Sequence, residues 1–196
     1  MLQPVLRFIS AISVLPFAAF AILAQSDDAF RQSISERLQP LIDGSSFKTT
    51  LDVDAWLNPI YLRGDFDGDG SVDYALLVIH RTNGKKGIAI WLSSKHYAGP
   101  IMIGAGTKSQ TGGGDSGDWS FFDAWQVYDK RVIRQGADKN KPPKLIGEAI
   151  LIEHSESASG LLYWDGKRFR WYQQGDKCSP PTPPSNKSNT APASLG

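Results

Sequence analysis

Cysteine is nearly missing from this chain. One residue of 196, Cys178, carries a thiol, so no internal disulfide can staple the fold. Its Pro- and Ser-rich neighbours imply an exposed thiol without a structural role. Histidine is sparse too, and His80, His96 and His154 are too scattered to define a transition-metal site. Neither sign of charge dominates: 21 basic residues face 20 acidic ones, and Arg7 is the one charged residue before the first apolar run. Without that segment the chain is formally neutral and lacks the basic surplus typical of nucleic-acid binding. Arg131, Arg134, Lys139, Lys141 and Lys144 form a loose basic cluster of the kind that solvated loops carry.

Long hydrophobic runs are lacking with one exception. Phe8 to Ala24 is apolar apart from Ser10, Ser13 and Pro16, which is short for a span of about twenty residues but suits the centre of a signal peptide. Residues 1–24 are therefore expected to direct export, with cleavage after Ala21 (Ala19-Phe20-Ala21) or Ala24. No cysteine lies nearby to carry a lipid anchor. The expected location is periplasmic or secreted, with no stable membrane insertion after cleavage. At the other end, residues 176–196 hold Pro180, Pro181, Pro183, Pro184 and Pro192 among Ser, Thr, Asn and Lys. Such a tail cannot bury enough apolar surface to offset its ordering and is expected to be disordered. Residues 25–175 remain, enough for one domain with a single core.

What the chain does have is a concentrated set of carboxylates. Asp65-Phe66-Asp67-Gly68-Asp69-Gly70-Ser71-Val72-Asp73 places four of them at spacings of two, two and four, with glycines between. Like charges this close repel, and a bound divalent ion removes that cost. Carboxylate oxygens without neighbouring sulfur or imidazole favour a hard cation, Ca²⁺ before Mg²⁺ or Mn²⁺. Counting from Asp65, the carboxylates take loop positions one, three, five and nine, and Gly70 takes six. An EF-hand needs a bidentate Glu at position twelve; this chain has Leu76 there. The expected ligands are the side chains of Asp65, Asp67, Asp69 and Asp73 with the backbone carbonyl of Ser71.

Around this loop the hydrophobic pattern is mostly that of strands. Phe30, Ile34, Leu38 and Leu41 recur at helical spacing after a cap at Ser26 or Asp27, and Pro40 and Gly44 should end that helix. Val72 to Ile79 is nearly continuous apolar sequence and predicts a central strand. Asn83-Gly84 predicts a two-residue hairpin turn into a strand from Gly87 to Leu92. Ile101–Ile103, Ala149–Glu153 and Leu161–Trp164 are further candidates. Asp165-Gly166 turns the last of these into Arg168–Tyr172, with Phe169 and Trp171 on one face and Arg168, Arg170 and Tyr172 on the other. The fold class expected is mainly β, antiparallel, partial-propeller-like or sandwich-like, with one N-terminal α-helix.

Gly64-Asp65-Phe66-Asp67-Gly68-Asp69-Gly70-Ser71-Val72-Asp73 followed by an apolar strand resembles the calcium loop of FG-GAP/VCBS-type repeats. In that family a DxDxDGxxD loop joins two strands of a propeller blade and binds Ca²⁺. The resemblance implies the same for Asp65, Asp67, Asp69, Ser71 and Asp73. It covers some thirty residues including both strands. A Phe-Gly element, a Gly-Ala-Pro element and a second acidic loop are missing, and a closed propeller needs about four blades of at least forty residues. The chain more nearly resembles small exported bacterial proteins with a single such repeat.

Signals of catalysis are weaker. Gly114-Asp115-Ser116-Gly117 resembles the nucleophile segment of trypsin-like proteases, but Asp118-Trp119 follows it. Gly104 to Ser109 lacks the adjacent Gly-Lys of a phosphate loop. An exported hydrolase using polar groups near His96 and Ser116 is the alternative reading. The favoured one is a non-catalytic, calcium-stabilised binding or envelope-associated module. Its expected contact surface for a protein or glycan partner is the polar, glycine-rich stretch 104–118 with Trp119, Phe121, Phe122, Trp125 and Tyr128 beside it. Helical and strand readings both fit residues 121–128.

Overall fold

The computed structural model describes residues 34–107, 117–129, 132–133, 135–136, 141–155 and 158–175. The expected signal peptide, the Pro-rich tail, Ser116 and most of the 104–118 stretch lie outside these residues. The chain divides into two compact units, Met1–Ile42 and Asp43–Gly196.

The described part of the first unit, residues 34–42, is a turn leading into a short helix, α1 (Gln39–Asp43), whose last residue is the first of the second unit. Leu38 N–H donates to the Ser35 carbonyl at 2.8 Å, and Ile42 N–H donates to that of Leu38 at 3.1 Å. Pro40 was expected to stop a helix but stands in the first turn of this one, where an N–H is not required. Gly44 separates α1 from a second short helix that the pattern did not reveal, α2 (Ser45–Thr50).

The described residues of the second unit form nine strands in two antiparallel sheets. The first sheet contains β1 (Leu51–Val53), β2 (Tyr61–Gly64), β3 (Asp73–His80), β4 (Lys86–Trp91) and β5 (Ile101–Gly104). Its centre is β3, whose residues Asp73 to Val78 are all buried. One side of β3 pairs with β4 over six residue pairs. On the other side β2 covers Asp73–Leu76 and β1 covers Val78–His80. Between them Leu77 N–H donates to the Ile60 carbonyl and Leu77 C=O accepts from Asp54 N–H, each at 3.1 Å. The apolar run is thus a strand with both edges satisfied and both faces covered, as its sequence requires.

The second sheet is a meander, β6 (Ala124–Tyr128), β7 (Ala149–His154), β8 (Ala158–Trp164) and β9 (Phe169–Gly175). Leu62, Ala75, Leu77, Ile88 and Ile90 of the first sheet share one core with Trp125, Ile150, Ile152, Leu162, Trp164 and Phe169 of the second. The architecture is therefore sandwich-like and mainly β. On the far face of the first sheet, Phe47 of α2 lies 5.7 Å from Trp91. Tyr172 belongs to a smaller cluster with Ile133, Leu145, Ala149 and Leu161. The expected alternation along β9 is observed, with Phe169 inside and Tyr172 on the opposite face.

The turn at Asn83-Gly84 differs from expectation. Ile79 pairs with Lys86, His80 N–H donates to the Lys85 carbonyl, and Gly84 N–H donates to that of His80, both at 2.9 Å. The connection is longer than two residues. Gly84 has φ +67° while Asn83 is not left-handed, so the double positive-φ turn does not form. Asn83 instead accepts Lys85 N–H on Oδ1 at 2.9 Å, the local side-chain bond that favours Asn in turns.

Candidate metal centre

Antiparallel pairing of β2 with β3 sets Gly64 opposite Asp73. The acidic segment is the connection of this hairpin, so Asp65 at its start and Asp73 at its end are brought side by side. Leu76, at the position where an EF-hand carries its last ligand, is fully buried in β3. Phe66 is likewise 0 % exposed and anchors the loop in the inter-sheet core. Gly68 and Gly70 have φ of +81° and +83°, the curvature expected of them. Gly68 has a further role: a Cβ there would stand 2.4 Å from the Ile146 carbonyl oxygen.

Asp73 is the buried member, at 0 % exposure. Its Oδ2 accepts the N–H groups of Phe66 at 2.8 Å and Asp67 at 3.3 Å, and its Oδ1 accepts that of Ser93 at 2.7 Å. Burial pushes its carboxyl up to about 6, the Asp67 charge adds to the rise, and the three amides oppose it. Asp65 accepts Gly70 N–H on Oδ2 at 3.1 Å. Its Oδ1 is buried and has no hydrogen-bond partner among the described residues. Asp67 accepts Asp69 N–H at 3.3 Å and the Ser94 hydroxyl.

One carboxylate oxygen from each of Asp65, Asp67 and Asp73 lies within 4.8 Å of the others, a group that could hold a metal ion. Two oxygens bound to one ion at about 2.4 Å can be at most about 4.8 Å apart, so the spacing suits a shared hard cation. Asp69 and Ser71 stand on the exposed side of the loop. Asp69 accepts Ser71 N–H at 2.7 Å and the Ser93 hydroxyl at 2.9 Å. These bonds, the Ser71 amide foremost, hold its carboxyl below the usual range. Of the five residues expected from the sequence, three are gathered within ion reach, and Asp69 is engaged with the serines.

The serines were not anticipated. Ser93 and Ser94 open a 3₁₀ turn, Ser93–Lys95, directly after β4. Tyr74 pairs with Trp91, and this register carries residue 93 back beside Asp73. Tyr97, a few residues on, donates its hydroxyl to the Val72 carbonyl at 2.6 Å. Glu148 is the other unanticipated neighbour: its Oε2 accepts Asp65 N–H at 2.7 Å. A correct strand register could have indicated the serines; no local signal marks Glu148.

The remaining candidates disperse. His80 ends β3, and its Nδ1 accepts Thr82 N–H at 3.2 Å. His96 is exposed in a left-handed conformation just past the 3₁₀ turn, and Ser116 lies outside the described residues. Residues 124–128 are strand β6, with Trp119, Phe122 and Trp125 buried in the core and Phe121 46 % exposed. Phe121 helps to line a cavity of about 230 Å³ with Ile152, His154, Ser159, Trp171 and Gln173. Trp171 Nε1 donates to Gln173 Oε1 at 3.0 Å, and Gln173 Nε2 donates to the Ser159 carbonyl at 3.1 Å, which fixes the amide on the cavity wall.

Compared with known proteins, the chain matches no family profile, no curated protein and no solved structure.

Proposed function

We propose that this chain is an exported, non-catalytic binding or envelope-associated β module stabilised by one Ca²⁺. The observation that carries this reading is the buried Oδ1 of Asp65, without a hydrogen-bond partner among the described residues, on a carboxylate that has an oxygen within 4.8 Å of oxygens of Asp67 and Asp73. A buried anionic oxygen with no donor is costly unless a cation meets it. All-oxygen donors from one short loop favour Ca²⁺ over ions that prefer nitrogen or sulfur. Asp69 and the Ser71 carbonyl complete the set by the resemblance to FG-GAP/VCBS-type loops. With its ligands drawn from one contiguous loop, the ion serves structure rather than substrate activation. It acts beside the junction of the two sheets.

Export rests on the apolar run before Ala24, and the binding role on the cavity beside Phe121. Aromatic rings with a fixed amide suit a sugar ring or an apolar side chain of a partner. Titration calorimetry with CaCl₂ on calcium-stripped protein tests the central claim. One saturable site is expected, and no binding heat together with unchanged thermal unfolding would sink it.

A further inference from the structure

The carboxylate loop is held from the second sheet as well as from the first. Asp65 N–H donates to Glu148 Oε2, and Glu148 N–H donates to the Asp65 carbonyl, both at 2.7 Å. The residues around this pair fit closely. A Cβ on Gly147 would lie 2.4 Å from the Phe66 carbonyl oxygen and 2.5 Å from that of Asp65. A Cβ on Gly64 would meet Glu148 Oε2 at 2.7 Å. Gly68, Gly147 and Gly64 thus clear the room in which the segment before β7 reaches the loop. The backbone amide it reaches belongs to the residue whose Oδ1 is buried and unpartnered.

We propose that Glu148 is a positioning residue of the ion site. It clamps the Asp65 main chain at two points, and this holds the Asp65 carboxylate within reach of those of Asp67 and Asp73. Glu148 itself falls outside the group within ion reach, so it acts through Asp65 and not as a ligand. By linkage, ion binding and the attachment of the β7 entry to the loop strengthen each other by the same factor. This proposal rests on the calcium reading above and adds a residue that the loop motif does not contain.

Three variants separate positioning from charge. Glu148→Gln keeps an oxygen acceptor at full reach and removes the charge. Glu148→Asp keeps the charge and falls one methylene short. Glu148→Ala removes both. Calcium affinity is read by calorimetry, and the number of waters on bound Tb³⁺ by luminescence lifetimes in H₂O and D₂O. Glu148→Gln is expected to bind within about threefold of the natural chain, and Glu148→Asp and Glu148→Ala about tenfold or more weakly, the effect of losing one well-placed hydrogen bond. The weak variants should carry one more water on Tb³⁺, because Asp65 no longer reaches the ion. Should Glu148→Ala fail to fold, the Gln and Asp pair gives the same contrast. Natural affinity in both Glu148→Asp and Glu148→Ala would overturn the positioning role alone, as would Glu148→Gln binding as weakly as Glu148→Ala. Absence of calcium binding in the natural chain would remove the ion reading and this proposal together.

Discussion

Asp67 carries a carboxylate oxygen within 4.8 Å of those of Asp65 and Asp73, so on the calcium reading its replacement by Asn should have opposite effects with the ion and without it. Asn keeps the shape and an acceptor for Asp69 N–H, and its amide nitrogen can donate to the Ser94 hydroxyl that the carboxylate accepts, while one charge is removed. Two unit charges at 4.8 Å, the upper limit of this spacing, repel by about 0.9 kcal/mol in water and about 3.5 kcal/mol at an effective dielectric of 20. Asp67 is half-buried, which places the relief near the lower end, about 1 kcal/mol. The metal-free variant should therefore melt about 2–4 °C above the metal-free natural chain. In calcium the order reverses. A ligand at a hundred times its Kd contributes about 2.7 kcal/mol, or about 5–10 °C for a chain of this size, and the variant loses most of it. Differential scanning calorimetry at neutral pH, with chelator and with excess CaCl₂, reads all four values. If Asp67→Asn lowers the melting temperature equally with and without calcium, the carboxylate is a hydrogen-bond acceptor of the turn and the reasoning fails.

Other expectations follow from the same contacts. Gly147→Ala should destabilise the protein by about 2–3 kcal/mol in urea unfolding, because its Cβ would overlap backbone oxygens of Asp65 and Phe66 that cannot rotate away. A variant as stable as the natural chain would contradict that close fit. Phe66→Ala empties a fully buried site and should cost about 3–5 kcal/mol in the presence of calcium as well as in its absence. Asp165 accepts Lys167 N–H and Arg168 N–H at 2.9 Å and Arg170 Nε–H at 2.7 Å, and the Arg170 bond foremost lowers its carboxyl from 3.8 to about 2. A depressed acid stabilises the fold above its unfolded value, so this contribution is present above about pH 4 and is lost as pH falls toward 2. Asp165→Asn should flatten the acid limb of stability against pH over that window; an unchanged limb would assign acid unfolding to other groups.

The strands were legible where burial on both faces leaves only apolar residues, as in Tyr74 to Val78, or where alternation separates two clusters, as in Phe169 and Tyr172. The two short helices were not. Ser45–Thr50 has little helical preference of its own and is held by Phe47 packing on Trp91. Pro40 signals a stop in the sequence pattern, although proline fits a first turn equally well. The loop motif contains Asp65, Asp67 and Asp73, the three carboxylates that the fold brings within 4.8 Å of one another. It could not tell that Asp69 would turn to Ser93, nor that Glu148, 83 residues away in sequence, would hold Asp65. Such partners depend on strand register and on how two sheets meet, and no short window of sequence contains either.

The division of one side of β3 between β1 and β2 has a consequence for association. An exposed sheet edge is a template on which another extended chain can add. Here that margin is cut into pieces of three and four residues, interrupted by a connection that contains Pro59. Proline offers no N–H for a ladder. An incoming strand therefore finds no continuous row of donors and acceptors on that margin, so the β1–β2 edge discourages the sheet-to-sheet growth that a β-rich chain otherwise risks.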